Sequence, residues 1–170
     1  QILPQYPQTV AVLCGINVIL AVSLNLVNGF TGQFSMGHAG FMAVGAYTSA
    51  TLSTVLFPSL QGAAFESFSF FVVTVIAGLV TAGIGFLVGV PSLRLKGDYL
   101  AIVTLGFGEI IRVVILNIEG IGGARGLIGI PQWSNLYWIV AWSVIAVVVL
   151  IRMTASFLGK QFMAVRDDET

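Results

Sequence analysis

The first Asp, Glu, Lys or Arg in this chain of 170 residues is Glu66, and the residues before it form two long apolar stretches. Water-soluble domains carry about 25% charged residues. Here only 8% are charged and 57% are hydrophobic, too few charges to cover a water-facing surface. An ordinary soluble domain is therefore excluded, and the pattern is that of an all-α, polytopic membrane protein. Seven basic and seven acidic side chains cancel, which removes the electrostatic basis for nucleic-acid binding. Cys14, the single cysteine, has no partner for an internal disulfide or a thiolate metal site.

A membrane-spanning helix needs about 20 mostly apolar residues. Five segments are expected to span, at approximately 9–27, 34–56, 69–90, 99–118 and 136–157. They form one transmembrane domain over 1–170. The glycine-rich run Asn28-Gly29-Phe30-Thr31-Gly32-Gln33 predicts a broken helix after the first span. Pro91 is expected to end the third. Long continuous apolar runs do not fit the alternating strands of a β-barrel. Arg94 and Lys96 follow the third span, and Arg152, Lys160 and Arg166 cluster at the end of the last, so both groups belong on one, cytoplasmic face. Residues 1–8 then start outside, which leads us to expect an earlier span in a longer chain. No signal-peptide pattern is visible.

Signatures of chemistry are few. His38 is the only histidine, so a two-histidine zinc helix is impossible. Gly159-Lys160 is followed by Gln161 and has Thr154 where a phosphate-binding loop needs glycine. Gly106-Phe107-Gly108 lies inside an apolar span, the wrong context for a dinucleotide loop. No catalytic residue, metal ligand or cofactor is expected in the chain. Ala77, Thr81, Gly85 and Gly89 recur every four residues and read as a packing ridge.

Polar residues within the spans are the candidates for a translocation path. Asn17, Ala21, Asn25 and Asn28 fall within a stripe about 80° wide at 100° per residue. Such a stripe should look into the bundle, either for interhelical hydrogen bonds or as the lining of a solute path. Gln33, Ser35 and His38 follow the glycine break, near the free N–H groups of a helix expected to start at about Phe34. They form either a structural turn or a substrate contact. Glu109 and Arg112, three apart, share a helix face and can pair. Glu109 lies about ten residues, roughly 15 Å, into its span. Charges there cost about 2.5–3.5 kcal/mol each on insertion scales, so both should face protein or a water-filled cavity. A path or gate and a purely structural ion pair both fit.

After the last span, Leu158, Phe162 and Val165 form an i, i+4, i+7 apolar stripe flanked by Lys160 and Arg166. Asp167, Asp168 and Glu169 fit the start of a following helix. The segment 159–169 thus reads as a short amphipathic cytoplasmic element able to dock on a soluble partner.

Three stretches together carry a resemblance: Leu24-Asn25-Leu26-Val27-Asn28-Gly29-Phe30-Thr31-Gly32-Gln33-Phe34-Ser35-Met36-Gly37-His38-Ala39-Gly40-Phe41, then Gly97-Asp98-Tyr99-Leu100-Ala101-Ile102-Val103-Thr104-Leu105-Gly106-Phe107-Gly108-Glu109-Ile110-Ile111-Arg112, then Gly159-Lys160-Gln161-Phe162-Met163-Ala164-Val165-Arg166-Asp167-Asp168-Glu169. They resemble the permease subunits, of LivM type, of bacterial ABC importers for branched-chain amino acids. Gly122-Gly123-Ala124-Arg125-Gly126-Leu127 with Ile130-Pro131 is similar to that family's external loop.

The resemblance implies a multi-pass subunit of the bacterial inner membrane, embedded in the lipid bilayer. It implies a second, LivH-type permease as partner, two cytoplasmic ABC ATPases that bind ATP and Mg, and an extracytoplasmic substrate-binding protein. It implies that Leu158, Gly159, Lys160, Phe162, Val165, Arg166, Asp167, Asp168 and Glu169 couple the permease to an ATPase. It also implies a further C-terminal half, and a longer loop near Asn135 than this chain has. Urea or short-amide permeases of the same superfamily are the alternative, and an ion-coupled carrier or channel using Glu109 is a more distant one.

Overall fold

The computed structural model describes residues 5–56, 63–92, 95, 97–131, 135–157 and 159–161. Among these the chain is helical, with no strand. The helices are α1 (Gln5–Asn25), α2 (His38–Thr51), α3 (Ala63–Ser92), α4 (Asp98–Asn117) and α5 (Leu136–Ala155). Among the described residues, four helices are long and apolar enough to cross a membrane: Tyr6–Phe30, Ser67–Ser92, Asp98–Asn117 and Leu136–Ala155. Their outer surfaces are apolar, with Leu79, Phe86 and Leu87 about 70% exposed or more. In water such surface would drive aggregation, whereas among lipid chains it carries no penalty.

The contacts divide the chain into two compact units, Gln1–Phe34 with Ser134–Thr170, and Ser35–Trp133. In the first, α1 packs along α5. Gly15 marks a close approach: a Cβ there would collide with Cγ2 of Ile139, and Ser143 Oγ donates to the Gly15 carbonyl at 3.3 Å.

In the second unit, α2 lies against both α3 and α4, and α3 touches α4. The buried residues of α3 are Ser69, Val73, Ala77, Val88 and Ser92. The expected ridge of small residues holds for its first three members. Ala77 is buried, Thr81 Oγ1 would sit 3.2 Å from a Cβ on Gly45, and Gly85 faces the Phe41 ring. Gly89 leaves the contact, with nothing within 4 Å of a Cβ there. Steps of four turn about 40° each on a 3.6-residue helix, so Gly89 has rotated about 120° from Ala77 while Val88 stays on the buried face. The helix also runs one residue past Pro91, to Ser92.

Hydroxyls inside the helices bond to their own backbone, as polar groups in an apolar medium must. Thr81 donates to Ala77 O at 2.7 Å, and Ser92 to Val88 O at 2.6 Å. α1 and α2 each end in a π-helical turn, Leu26–Phe30 and Leu52–Leu56. The wider turn loosens the backbone ladder. Thr31 Oγ1 donates to Val27 O at the first, and Thr54 Oγ1 to Ala50 O at the second.

Candidate functional site

The helix interruption lies further along the chain than the glycine pattern suggests. Gly29 remains in the π turn, where its lack of a Cβ leaves room for Asn25 Oδ1. The turn away comes at Gly32, at φ 69°, a left-handed value that favours glycine. Residues 32–36 are non-helical, and α2 starts at His38 rather than near Phe34. α2 runs 14 residues, His38–Thr51, and continues directly into the π turn Leu52–Leu56.

The start of α2 comes within backbone contact of α4 and is also bonded by the Thr104 side chain. A Cβ on Gly37 would lie 2.7 Å from the Thr104 carbonyl oxygen, and one on Gly40 2.9 Å from the Gly108 Cα. Only glycines permit that approach. Thr104 is buried and its hydroxyl serves twice, accepting from Met36 N–H at 3.1 Å and donating to Ala101 O at 3.1 Å. One of the N–H groups just before α2 is thereby satisfied inside the protein. Sequence reasoning missed Thr104, Gly37, Gly40 and Gly108 as positioning residues. The available signal was paired small residues on two spans, Gly37 with Gly40 and Thr104 with Gly108.

Ser35 and His38 lie at this junction, both half-buried, and neither is without a partner. In the other unit, Asn28 and Gln33 are half-buried while Asn17 and Asn25 are exposed. Asn17 donates to Leu13 O at 2.8 Å, a bond within its own helix. The asparagine stripe lies about 200–280° around α1 from Gly15, so it points away from α5, and among the described residues Asn17 makes no interhelical bond.

Glu109 and Arg112 pair, with Arg112 Nη1 donating to Glu109 Oε2 at 3.2 Å. The side chains are 60% and 67% exposed. Glu109 lies about 140° around α4 from Thr104, so the pair is not brought to the start of α2. Among the described residues, neither α2 nor α3 covers the pair. The space between α2, α3 and α4 is instead an open apolar groove of about 450 Å³, lined by residues such as Val44, Ile84, Ile111 and Ile115.

Beyond α4 the loop folds into two 3₁₀ turns, Glu119–Ile121 and Gly123–Arg125. Gly122, Gly123, Gly126 and Gly129 all take positive φ, which explains its glycine content. Gly123 N–H caps α4 through Ile118 O at 3.2 Å.

Of the expected coupling residues, Gly159 and Lys160 are helical, with Gly159 buried and Lys160 exposed. Ser156 breaks α5 with extended backbone, and its carbonyl accepts from Gly159 and Lys160 N–H, which starts a new turn. Leu158, Phe162, Val165, Arg166, Asp167, Asp168 and Glu169 lie outside the described residues, as do Arg94 and Lys96.

Comparison with known proteins matches residues 6–170 to the family described as branched-chain amino acid transport system / permease component. The chain is 46% identical over 124 residues to the high-affinity branched-chain amino acid transport system permease protein LivM of Escherichia coli K12, covering 72% of this chain and 27% of that protein. It is 45% identical over 124 residues to the corresponding LivM of Salmonella typhimurium, with the same coverage. It is 25% identical over 191 residues to a probable branched-chain amino acid transport permease protein LivM of Methanocaldococcus jannaschii, covering 91% of this chain and 55% of that protein. The chain thus spans from about a quarter to about half the length of these relatives. No solved structure matches it significantly. With its apolar helices and a family match running from α1 to the end of the chain, the protein belongs to the branched-chain amino acid transport system permease family.

Proposed function

We propose that the chain forms part of the permease subunit of an ATP-driven importer for branched-chain or other apolar amino acids in the bacterial inner membrane. The family match over residues 6–170 carries this reading. The interrupted segment between α1 and α2 is compatible with it. Non-helical backbone at membrane depth is tolerated where it is buried in protein or lines a cavity, and transporters build binding sites from such broken helices. Asn25, Asn28, Gln33, Ser35, His38, Glu109 and Arg112 are the residues assigned to the path. The chain itself supplies a route and no bond-breaking chemistry. ATP and Mg belong to two separate ATPase subunits, a second permease completes the membrane part, and an extracytoplasmic binding protein delivers the amino acid.

Coupling is assigned to residues 159–169, with Phe162 as the apolar anchor in an ATPase pocket. Truncating a well-buried interface anchor costs about 2 kcal/mol or more, roughly thirtyfold in affinity. The test is uptake into vesicles loaded with ATP, with binding protein outside, alongside co-purification of the ATPase. Leucine should accumulate only with ATP. Phe162→Ala should release the ATPase or uncouple hydrolysis from uptake, and Lys160→Ala should do so much less. ATP-independent equilibration would refute the importer reading. Full ATPase retention and normal transport in Phe162→Ala would refute the coupling role.

A further inference from the structure

We infer that Glu109 and Arg112 are the two halves of a receptor for the zwitterionic head of an α-amino acid, an inference that rests on the importer reading above. Glu109 stands about 16 Å and Arg112 about 21 Å along a helix about 30 Å long, near the middle of a membrane span. Opposite charges there are more than half exposed, on a face that α2 and α3 leave open. Charge-assisted N···O contacts run about 2.7–2.9 Å, and Arg–carboxylate pairs are frequently bidentate. This one is a single contact at 3.2 Å. Arginine has five donors, and among the described residues Arg112 uses one of them, on Glu109.

An amino acid at neutral pH carries one ammonium and one carboxylate. Its carboxylate can take the open fork of Arg112 while its ammonium donates to Glu109. The exchange keeps every charge paired before, during and after binding, which is what a low-dielectric setting demands.

The surroundings suit the remainder of an apolar amino acid. Leu105 and Val113, four residues either side of Glu109, and Leu116, four beyond Arg112, are exposed around the pair. Gly106, three before Glu109, has nothing within 4 Å of where a Cβ would be, so the helix surface has a notch beside the carboxylate. The apolar groove between α2, α3 and α4 has an almost wholly aliphatic wall with no charged residue, and so could not hold either end of the zwitterion.

The experiment uses the complete transporter, with both permeases and the ATPases, in lipid nanodiscs without binding protein. Binding of radiolabelled leucine is competed with N-acetyl-leucine, which lacks the ammonium, and with leucinamide, which lacks the carboxylate. The wild type should prefer leucine to each analogue by about tenfold or more, the worth of one hydrogen bond to a charged group. In Glu109→Gln the preference over N-acetyl-leucine should collapse, and in Arg112→Gln the preference over leucinamide. Either single variant leaves one charge stranded and could misfold. The double variant Glu109→Gln with Arg112→Gln leaves none, and it should lose both preferences. A purely structural pair would shift stability and leave both ratios unmoved. Unchanged ratios, or no saturable leucine binding by a wild-type transporter that imports leucine, would overturn the inference and leave the importer reading standing. A wild type that takes up no amino acid with ATP would overturn the importer reading itself.

Discussion

Gly37→Ala tests whether backbone contact between the start of α2 and α4 holds the interrupted segment in place. Gly37 has φ −78° and ψ 0°, values open to alanine, so the substitution brings no backbone strain. It brings a Cβ 2.7 Å from the Thr104 carbonyl oxygen, a backbone atom that cannot rotate away. Ordinary contact begins at 3.4 Å, so the elements must part by 3.4 − 2.7, about 0.7 Å. If the Met36–Thr104 hydrogen bond opens by the same amount, it lengthens from 3.1 Å to about 3.8 Å, beyond hydrogen-bond range. Overpacking of this kind costs about 1–3 kcal/mol, and the lost bond about 1 kcal/mol more. Restricting the unfolded chain returns about 0.4–1 kcal/mol. The net expectation is a loss of about 2 kcal/mol. The assay is thermal unfolding of the complete transporter in detergent, with Gly83→Ala on α3 as control. A Cβ on Gly83 meets nothing within 4 Å, so that variant should be neutral or slightly stabilised. Gly37→Ala and Thr104→Val disrupt the same bond, so their effects should add to less than their sum. A Gly37→Ala transporter as stable as the wild type would refute the close approach.

Thr104→Val keeps the side-chain shape but removes the acceptor for Met36 N–H, and should lower stability by about 1–3 kcal/mol in the same unfolding assay. Gly122→Ala should be worse than Gly126→Ala. Both positions have positive φ, but a Cβ on Gly122 would also collide with the Gly126 carbonyl oxygen, whereas one on Gly126 meets nothing within 4 Å. Parallel unfolding curves for the two variants check this. Gly15→Ala should separate α1 from α5 by colliding with Ile139, and Gly15→Ala with Ile139→Ala should recover part of the loss. Disulfide trapping between cysteines introduced on the two helices would report the separation.

Much was legible in the sequence because the membrane imposes few rules. Backbone groups must be satisfied within the segment, so runs of about 20 apolar residues become helices whatever lies around them. The pairing of Glu109 with Arg112 followed from their three-residue spacing, which is a local property of any helix. The glycine-rich loop after α4 was visible for the same local reason.

What required the tertiary structure was everything set by a second helix. The start of α2 is His38 because Met36 and Gly37 are held against Thr104, 67 residues or more away in the chain, and no local pattern names that partner. Gly29 stays helical because a π turn and the Thr31 hydroxyl accommodate it, while Gly32 alone turns the chain. The small-residue ridge of α3 loses Gly89 because a four-residue step drifts around a 3.6-residue helix, so that only the contact with α2 says where it ends. The asparagines of α1 share a stripe by spacing, but the side on which α5 packs is decided by Gly15 and Ile139. Period and composition define which residues share a face; which face meets protein depends on the partner surface, and that information lies elsewhere in the chain.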